Sequence, residues 1–307
     1  MTGRTLLIIN PNASKGKGRT KAGLIRELFD RAGHELDIAY TEREGHAEEL
    51  ALEAAENGAE TVIAAGGDGC VNEVINGIMK SSRREEVKMG IIPIGRGNDY
   101  AYSLGLDIPL EDAVGKILAG KGMKVDIGIS KGGAFPEGRY FANGNGFGFE
   151  PLVNYRAMQF KHLNGMASYI AAFLQIMVTP PRPYDVTLVT DREEVKIRTQ
   201  QISVCIGERM GSVFKLAPGA IVDDGRFDFM YTKKPFTRFT ILTAVLRFLR
   251  GTHLKAKETF EGYHATKITI RSERAEIYSH CDGEMTAKGD GKDYEIEILP
   301  SALWVYC

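Results

Sequence analysis

The chain has 307 residues, 43% of them hydrophobic and 26% charged, with a formal net charge of −1. At a rough prior of ~150 residues per domain this predicts about two globular domains, and a chain this long buries a core without disulfides or metals. The near-zero charge excludes a global pull toward nucleic acid or anionic membrane, so no nucleic-acid partner is expected and any membrane contact must come from a local patch.

In chain order, strand and helix patterns alternate at first. Thr5 to Ile9 reads as a buried strand; its apolar run is too short for a secretory signal. A helix follows from Arg19 to Ala32, with Leu24, Ile25, Leu28 and Phe29 on one face and Gly33 beyond its end. Then come a strand Leu36 to Tyr40, a helix His46 to Asn57, a strand Thr61 to Ala65, a helix Val71 to Lys80, a strand Met89 to Pro93, a helix Leu110 to Ala119 and a strand Lys124 to Ile129. Such alternation predicts a parallel sheet covered on both faces. Past Val125 short strands dominate: Tyr140 to Asn143, Tyr184 to Thr190, Glu194 to Thr199, Ile202 to Ile206, Phe227 to Tyr231, Lys267 to Arg271, Ala275 to Ser279 and Tyr294 to Leu299. Helices interrupt at Met166 to Val178, which is too short to span a bilayer, and at Thr237 to Arg250. The second half therefore reads as mainly antiparallel. Cys70, Cys205, Cys281 and Cys307 have no zinc-ligand or Cys-x-x-Cys spacing, which points to reduced thiols in a soluble cytoplasmic protein.

Four segments carry candidate chemistry. Gly66-Gly67-Asp68-Gly69 joins a buried strand to a helix; its glycines allow close backbone approach and the free amides of a helix start attract anions. Asp68 repels phosphate unless a cation intervenes, which points to Mg²⁺. The same loop read alone is equally a tight turn with an N-cap aspartate. Gly95-Arg96-Gly97-Asn98-Asp99 follows the next strand, and loops at the carboxyl ends of parallel strands converge on ligands; alone it is a turn before a capped helix. Asn10 to Gly18 does not fit a Walker A loop, and reads either as a phosphate-holding loop or as a solvated basic one. His280-Cys281-Asp282-Gly283-Glu284 reads by itself as a hairpin turn exposing two carboxylates. The run Gly144-Asn145-Gly146-Phe147-Gly148 does not match a dinucleotide fingerprint.

Together, Asn10-Pro11, Gly66-Gly67-Asp68-Gly69 with Asn72-Glu73, Gly95 with Asn98-Asp99, Asp223-Asp224-Gly225 and Asp282-Gly283-Glu284 resemble the diacylglycerol kinase catalytic-domain family in order and spacing. The likeness is greatest to its soluble bacterial lipid kinases and covers nearly the whole chain. The Gly-Gly-Asp-Gly run alone is shared with NAD kinases and phosphofructokinase-like folds.

The resemblance implies an α/β fold: a Rossmann-like parallel-sheet domain over 1–125 and a mainly antiparallel β-sandwich over 126–300, with 301–307 packing back on the first domain. It implies an ATP- and Mg²⁺-dependent transfer of the γ-phosphate to a lipid hydroxyl, foremost diacylglycerol giving phosphatidic acid. Nucleotide contacts map onto Asn10, Pro11, Asn12, Ala13, Ser14, Thr41, Gly66, Gly67, Asp68, Gly69, Cys70, Asn72, Glu73, Gly95, Arg96 and Asn98. The catalytic aspartate maps to Asp282, where it would accept the hydroxyl proton. Glu284, Asp99 and Asp68 map to a Mg²⁺- and water-linked network, with Asp68 nearest the catalytic Mg²⁺. A structural Mg²⁺ maps to Asp224 with main-chain oxygens of Ile221 and Arg226. The family precedent also implies a homodimer.

Cys70 and Arg96 stand where the family has threonines beside the nucleotide. They motivate a second reading, a nucleotide- or lipid-binding protein with weakened catalysis; an NAD kinase-like enzyme is a third. A lipid substrate needs an apolar groove, for which Tyr169, Ile170, Phe173, Leu174, Phe239, Leu242, Leu246 and Phe248 are candidates, although such residues also build cores. Lys233, Lys234, Arg238, Arg247, Arg250, Lys255 and Lys257 either face anionic headgroups at a membrane surface or form a solvated face.

Overall fold

The structure, a computed structural model, describes residues 3–160, 166–273 and 277–307. Its first elements are β1 (Thr5–Ile9), α1 (Ala13–Gly16), α2 (Gly18–Arg31), β2 (Asp37–Tyr40), α3 (His46–Glu56), β3 (Thr61–Gly66), α4 (Asp68–Lys80), β4 (Lys88–Pro93), α5 (Asp99–Ser103) and α6 (Leu110–Ala119). β1 pairs in parallel with β2 and β3, and β3 with β4. β1, β3 and β4 are apolar because both faces are covered, whereas β2 is the half-buried edge strand. Ile25 and Phe29 of α2 pack with Leu110, Val114 and Ile117 of α6 on one side. Ala47, Ala51, Val74, Ile75 and Ile78 of α3 and α4 pack on the other.

The later elements are β5 (Gly122–Gly132), β6 (Phe135–Phe141), β7 (Gly144–Gly148), α7 (Phe149–Gln159), α8 (Met166–Val178), β8 (Tyr184–Thr190), β9 (Glu194–Thr199), β10 (Gln201–Cys205), β11 (Arg209–Met210), β12 (Phe214–Lys215), β13 (Phe227–Thr232), α9 (Arg238–Arg250), β14 (Phe260–Ala265), β15 (Lys267–Ser272), β16 (Ile277–Cys281), β17 (Glu284–Gly291) and β18 (Asp293–Tyr306). One antiparallel sheet runs β14-β13-β10-β7-β16-β17, and the larger sheet runs β2-β1-β3-β4-β18-β15-β8-β9 with β5 and β6 attached beside β18. Phe147, Ile202, Phe227 and Phe229 of the first share a core with Val186, Leu188, Ile268, Ile270 and Ile296 of the second, which makes a β-sandwich. β18 spans both halves: Glu297 pairs with Lys267 of β15, and farther along Trp304 and Val305 pair in parallel with Lys88 and Met89 of β4.

Several boundaries differ from the sequence reading. α4 begins at Asp68 rather than Val71, because Gly67 takes the extended N-cap conformation and the helix starts inside the glycine run. β7, α7, β14 and β17 carry no clear apolar period and were not expected. Of the strand expected at 275–279, residues 275 and 276 lie outside the described residues. Among the described residues no helix is long and apolar enough to cross a membrane.

Candidate active site

The loops after β1, β3 and β4 emerge at the carboxyl edge of the parallel sheet, the edge at which ligands bind in α/β folds. After β1, Asn10 Oδ1 accepts the Asn12 N–H at 2.8 Å. Ala13 donates to the Asn10 carbonyl, and Ser14, Lys15 and Gly16 all have positive φ. Pro11 leads into this turn, and Gly18 lets it close: a Cβ there would lie 2.2 Å from the Asn10 oxygen. Thr41 N–H donates to the Ile9 carbonyl at the mouth of the same loop.

The other two loops touch each other. A Cβ on Gly95 would stand 2.3 Å from the Gly67 Cα, so glycine is required where backbones cross. Asn98, at φ +54, accepts the Gly95 N–H through Oδ1 at 3.1 Å. Asp68 Oδ1 accepts the Asp99 N–H at 2.6 Å and the Tyr100 N–H at 3.3 Å. Asp68 thus caps the start of α5, not its own helix, and locks the two loops together. Arg96 is exposed at the loop tip. Cys70 packs over Gly66, and burial pushes its thiol up to about 12, so it stays protonated.

The hairpin between β16 and β17 faces these loops. Cys281 and Glu284 pair across a two-residue turn, with Asp282 at φ +49 and Gly283 at φ +88. Positive φ at both central residues is what a type I′ turn requires, and Asp-Gly suits it. The Asp282 carboxylate points inward. Its Oδ2 accepts from Asn72 Nδ2 at 3.0 Å and Ala142 N at 2.9 Å; its Oδ1 accepts from Asn143 N at 2.9 Å and Gly144 N at 2.8 Å. Four donors fill the lone-pair directions of a carboxylate. Through these bonds Asp282, the residue expected to accept a proton, ties the hairpin to α4 and to the β6–β7 turn.

Glu284 is different. It is half-buried, and among the described residues it accepts no hydrogen bond. A Cβ on Gly69 would lie 2.7 Å from its Oε1, so it faces the glycine loop of α4. Burial, reinforced by the charge of Glu44, raises its pKa. Burial also raises Asp68, with Asp282 adding repulsion, and burial and the Asp68 charge push Asp99 up to about 6. The Asp99 oxygens are held by Arg209 Nε at 3.0 Å and the Ser212 N–H at 2.8 Å. The carboxylates at this edge therefore repel one another and favour a cation.

Three of the expected site residues make defined contacts within the protein. Asn72 is buried. Its amide bridges Asp282, the Tyr140 carbonyl and Arg139, whose Nη2 donates to Asn72 Oδ1 at 2.6 Å. Its side chain faces the hairpin. Glu73 spends both oxygens on the Gly45 and Ala47 N–H groups, each at 3.0 Å; it caps α3. At the position expected to hold a structural Mg²⁺, the turn is closed by Asp224. Asp224 accepts the Arg226 N–H through one oxygen and pairs with the Arg226 guanidinium at 3.0 Å through the other. Sequence reasoning missed Arg139, which pairs with Glu48 at 2.7 Å, and Arg209, which stacks on Tyr102 and grips Asp99, Asp107 and the Gly97 carbonyl. Neither sits in a motif.

Comparisons with known proteins give the family and the fold. The diacylglycerol kinase catalytic domain matches residues 4–129, and the YegS C-terminal NAD kinase beta sandwich-like domain matches 145–307. A diacylglycerol kinase from Bacillus subtilis (strain 168) is 31% identical over 287 residues, covering 92% of this chain and 89% of the relative. The chain belongs to the diacylglycerol kinase family. A diacylglycerol kinase from Staphylococcus haemolyticus is 30% identical, over 92% of this chain and 82% of that one. A solved diacylglycerol kinase structure from Bacillus anthracis superposes with a TM-score of 0.72 at 22% identity, over 99% and 96% of the two chains. Yeast NADH kinase bound to NADH shares the fold at a TM-score of 0.54 and 10% identity, over 99% and 82%. Membership in this family makes the protein a kinase, a phosphotransferase that uses a nucleotide.

Proposed function

We propose that this member of the diacylglycerol kinase family transfers the γ-phosphate of ATP to a lipid hydroxyl, with diacylglycerol as the leading acceptor. The observation that carries the reading is the meeting of two elements: a pair of interlocked glycine loops at helix starts, and a hairpin carboxylate, Glu284, aimed at them. Phosphoryl transfer needs positioning and charge neutralisation more than covalent chemistry. The amides of the three glycine- and asparagine-rich loops supply donors for phosphate oxygens.

A divalent cation fits the donors present. Mg²⁺ uses one or two carboxylates plus substrate phosphates rather than a closed protein cage, and no group of three His, Cys, Asp or Glu side chains among the described residues forms such a cage. Asp68 would hold it; when bound, it would neutralise charge on the transferring phosphate. Glu284, with free lone pairs and a raised proton affinity, is the group suited to take the proton of the attacking hydroxyl. Asp282, through its four hydrogen bonds, fixes where Glu284 stands.

The lipid would approach across α8 and α9. Ile170 and Leu174 of α8, and Phe239, Leu242 and Leu246 of α9, are exposed apolar side chains. Phe248 is not part of this surface: it is buried against Phe260 and His253. Exposed Arg238, Arg250, Lys233 and Lys234 stand around α9, placed to meet anionic headgroups.

The test is an assay with γ-labelled ATP and Mg²⁺ across diacylglycerol, monoacylglycerol, phosphatidylglycerol, ceramide, sphingosine and NAD. Label in a lipid, highest for diacylglycerol, is the expected result. Label in NAD alone would replace the reading with an NAD kinase. ATP binding without transfer to any of them would make it a binding protein.

A further inference from the structure

The Asp282-Gly283-Glu284 turn is held from a side that none of the sequence motifs touches. Asn154 of α7 donates through Nδ2 to the Gly283 carbonyl at 2.8 Å. The Gly283 N–H donates to His280 Nδ1 at 3.1 Å, and His280 Nε2 meets Glu150 Oε1 at 2.6 Å. Because Nδ1 accepts, the imidazole proton lies on Nε2 and is donated to Glu150. Glu150 and Asn154 are one turn apart on α7. Both backbone polar groups of Gly283 are therefore governed by the same helix: its N–H, in the peptide to Asp282, and its C=O, in the peptide to Glu284.

The neighbouring strand is cut away to allow this. A Cβ on Gly146 would lie 2.7 Å from His280 Nε2 and 2.5 Å from Glu150 Oε2. One further bond extends outward: Tyr169 of α8 donates its hydroxyl to Asn154 Oδ1 at 3.1 Å. That bond fixes which end of the Asn154 amide faces Gly283. Tyr169 sits beside Ile170, Leu174 and Val178, which are 54%, 59% and 71% exposed.

We propose that α7 sets the position of the Asp282-Gly283-Glu284 turn through Asn154 and Glu150, with Tyr169 relaying from α8, and that these three are positioning residues for phosphoryl transfer. Rotation of the Gly283–Glu284 peptide swings Glu284 away from the glycine loop, and rotation of the Asp282–Gly283 peptide loosens Asp282 in its socket, so holding the two peptides that flank Gly283 holds both carboxylates. The rate consequence rests on the lipid-kinase reading; the structural consequence does not.

The experiment compares the wild type with Asn154→Ala, Tyr169→Phe, Glu150→Ala and Glu150→Gln in the full chain. It reads kcat, KM for ATP, and hydrogen exchange at the Asp282 and Gly283 amides. Asn154→Ala is expected to lower kcat about 10- to 100-fold, the scale of an ångström-level misplacement, with KM for ATP within about twofold. Tyr169→Phe lowers kcat in the same direction by about threefold or more, the loss of one neutral hydrogen bond. Glu150→Gln keeps an acceptor for His280 Nε2 and recovers most of the rate that Glu150→Ala loses. Exchange at the two amides accelerates in Asn154→Ala and Tyr169→Phe. Unchanged kcat with unchanged exchange, or Glu150→Gln as slow as Glu150→Ala, overturns the proposal. Should Asn154→Ala not fold, Tyr169→Phe, at a partly exposed position, decides it. Should the wild type phosphorylate no lipid, the kinase reading fails while the exchange arm still decides this one.

Discussion

Asn72 and Asp282 lie 210 residues apart and meet through a 3.0 Å hydrogen bond. It fastens the helix that begins in the glycine run to the hairpin that carries Glu284. Asn72 also takes the Arg139 guanidinium on its other side. Replacing Asn72 with Ala strips a buried carboxylate and a buried guanidinium of one partner each. Unsatisfied buried polar groups cost about 1–3 kcal/mol, so thermal melting of Asn72→Ala is expected at a clearly lower Tm, with phosphoryl transfer at least about tenfold slower. Wild-type Tm and rate in this variant would mean that the contact carries nothing.

Asp282 and Glu284 are predicted to behave as an anchor and a proton acceptor. In Asp282→Asn, an amide that donates on one side faces donors on both. Loss of a charge-assisted bond costs on the order of 3 kcal/mol and lowers Tm by roughly 5 °C or more, with activity lost as a consequence. In Glu284→Gln the buried charge disappears, so Tm holds or rises while kcat falls about 10²- to 10⁴-fold. Melting curves and initial rates on the pair separate the roles. An Asp282→Asn variant with native Tm and no activity would return the proton-acceptor role to Asp282.

Gly95→Ala places a Cβ 2.3 Å from the Gly67 Cα, backbone against backbone. One of the two loops must move. Weaker ATP binding by calorimetry, by about tenfold or more, is expected from displaced phosphate-facing amides. Unaltered binding would show that the crossing of the loops is not what shapes the nucleotide site.

How far this was legible in the sequence depended on the element. β1, β3 and β4 announced themselves because strands covered on both faces read as apolar runs. The Asp282-Gly283 turn was legible as a hairpin, since few pairs other than Asp-Gly and Asn-Gly tolerate two positive φ values. What its carboxylate holds was not legible, because residues 142–144 are distant in the chain and contribute backbone amides, which leave no side-chain signature. β7 escaped notice because Gly144, Gly146 and Gly148 remove any apolar period; the space at Gly146 serves the His280–Glu150 pair. Asn72 and Glu73 were expected at the nucleotide because the family resemblance maps its contacts there, and the sequence does not show which way each side chain turns. On a helix, adjacent side chains diverge by about 100°: Asn72 turns to the hairpin and Glu73 to α3.

His253 controls part of the acid stability. It is buried between Phe248 and Phe260, with ring centroids 4.5 and 5.5 Å away, and burial pushes it from an ordinary 6.5 down to about 4. A depressed folded value means that the unfolded chain binds the proton first. Stability is therefore full above pH 6.5 and falls as pH drops toward 4, by roughly 3 kcal/mol for such a shift. Urea unfolding at pH 7.5 and pH 5 is expected to show a larger loss for the wild type than for His253→Leu. Equal losses would remove His253 from the acid limb.

The most direct measurement of the central claim is the product formed from γ-labelled ATP, Mg²⁺ and diacylglycerol vesicles, identified by mass spectrometry. The account predicts label in phosphatidic acid with the wild type, and at least about a hundredfold less with Glu284→Gln although that variant still binds ATP. Label released only as free phosphate, or transfer undiminished in Glu284→Gln, would contradict it.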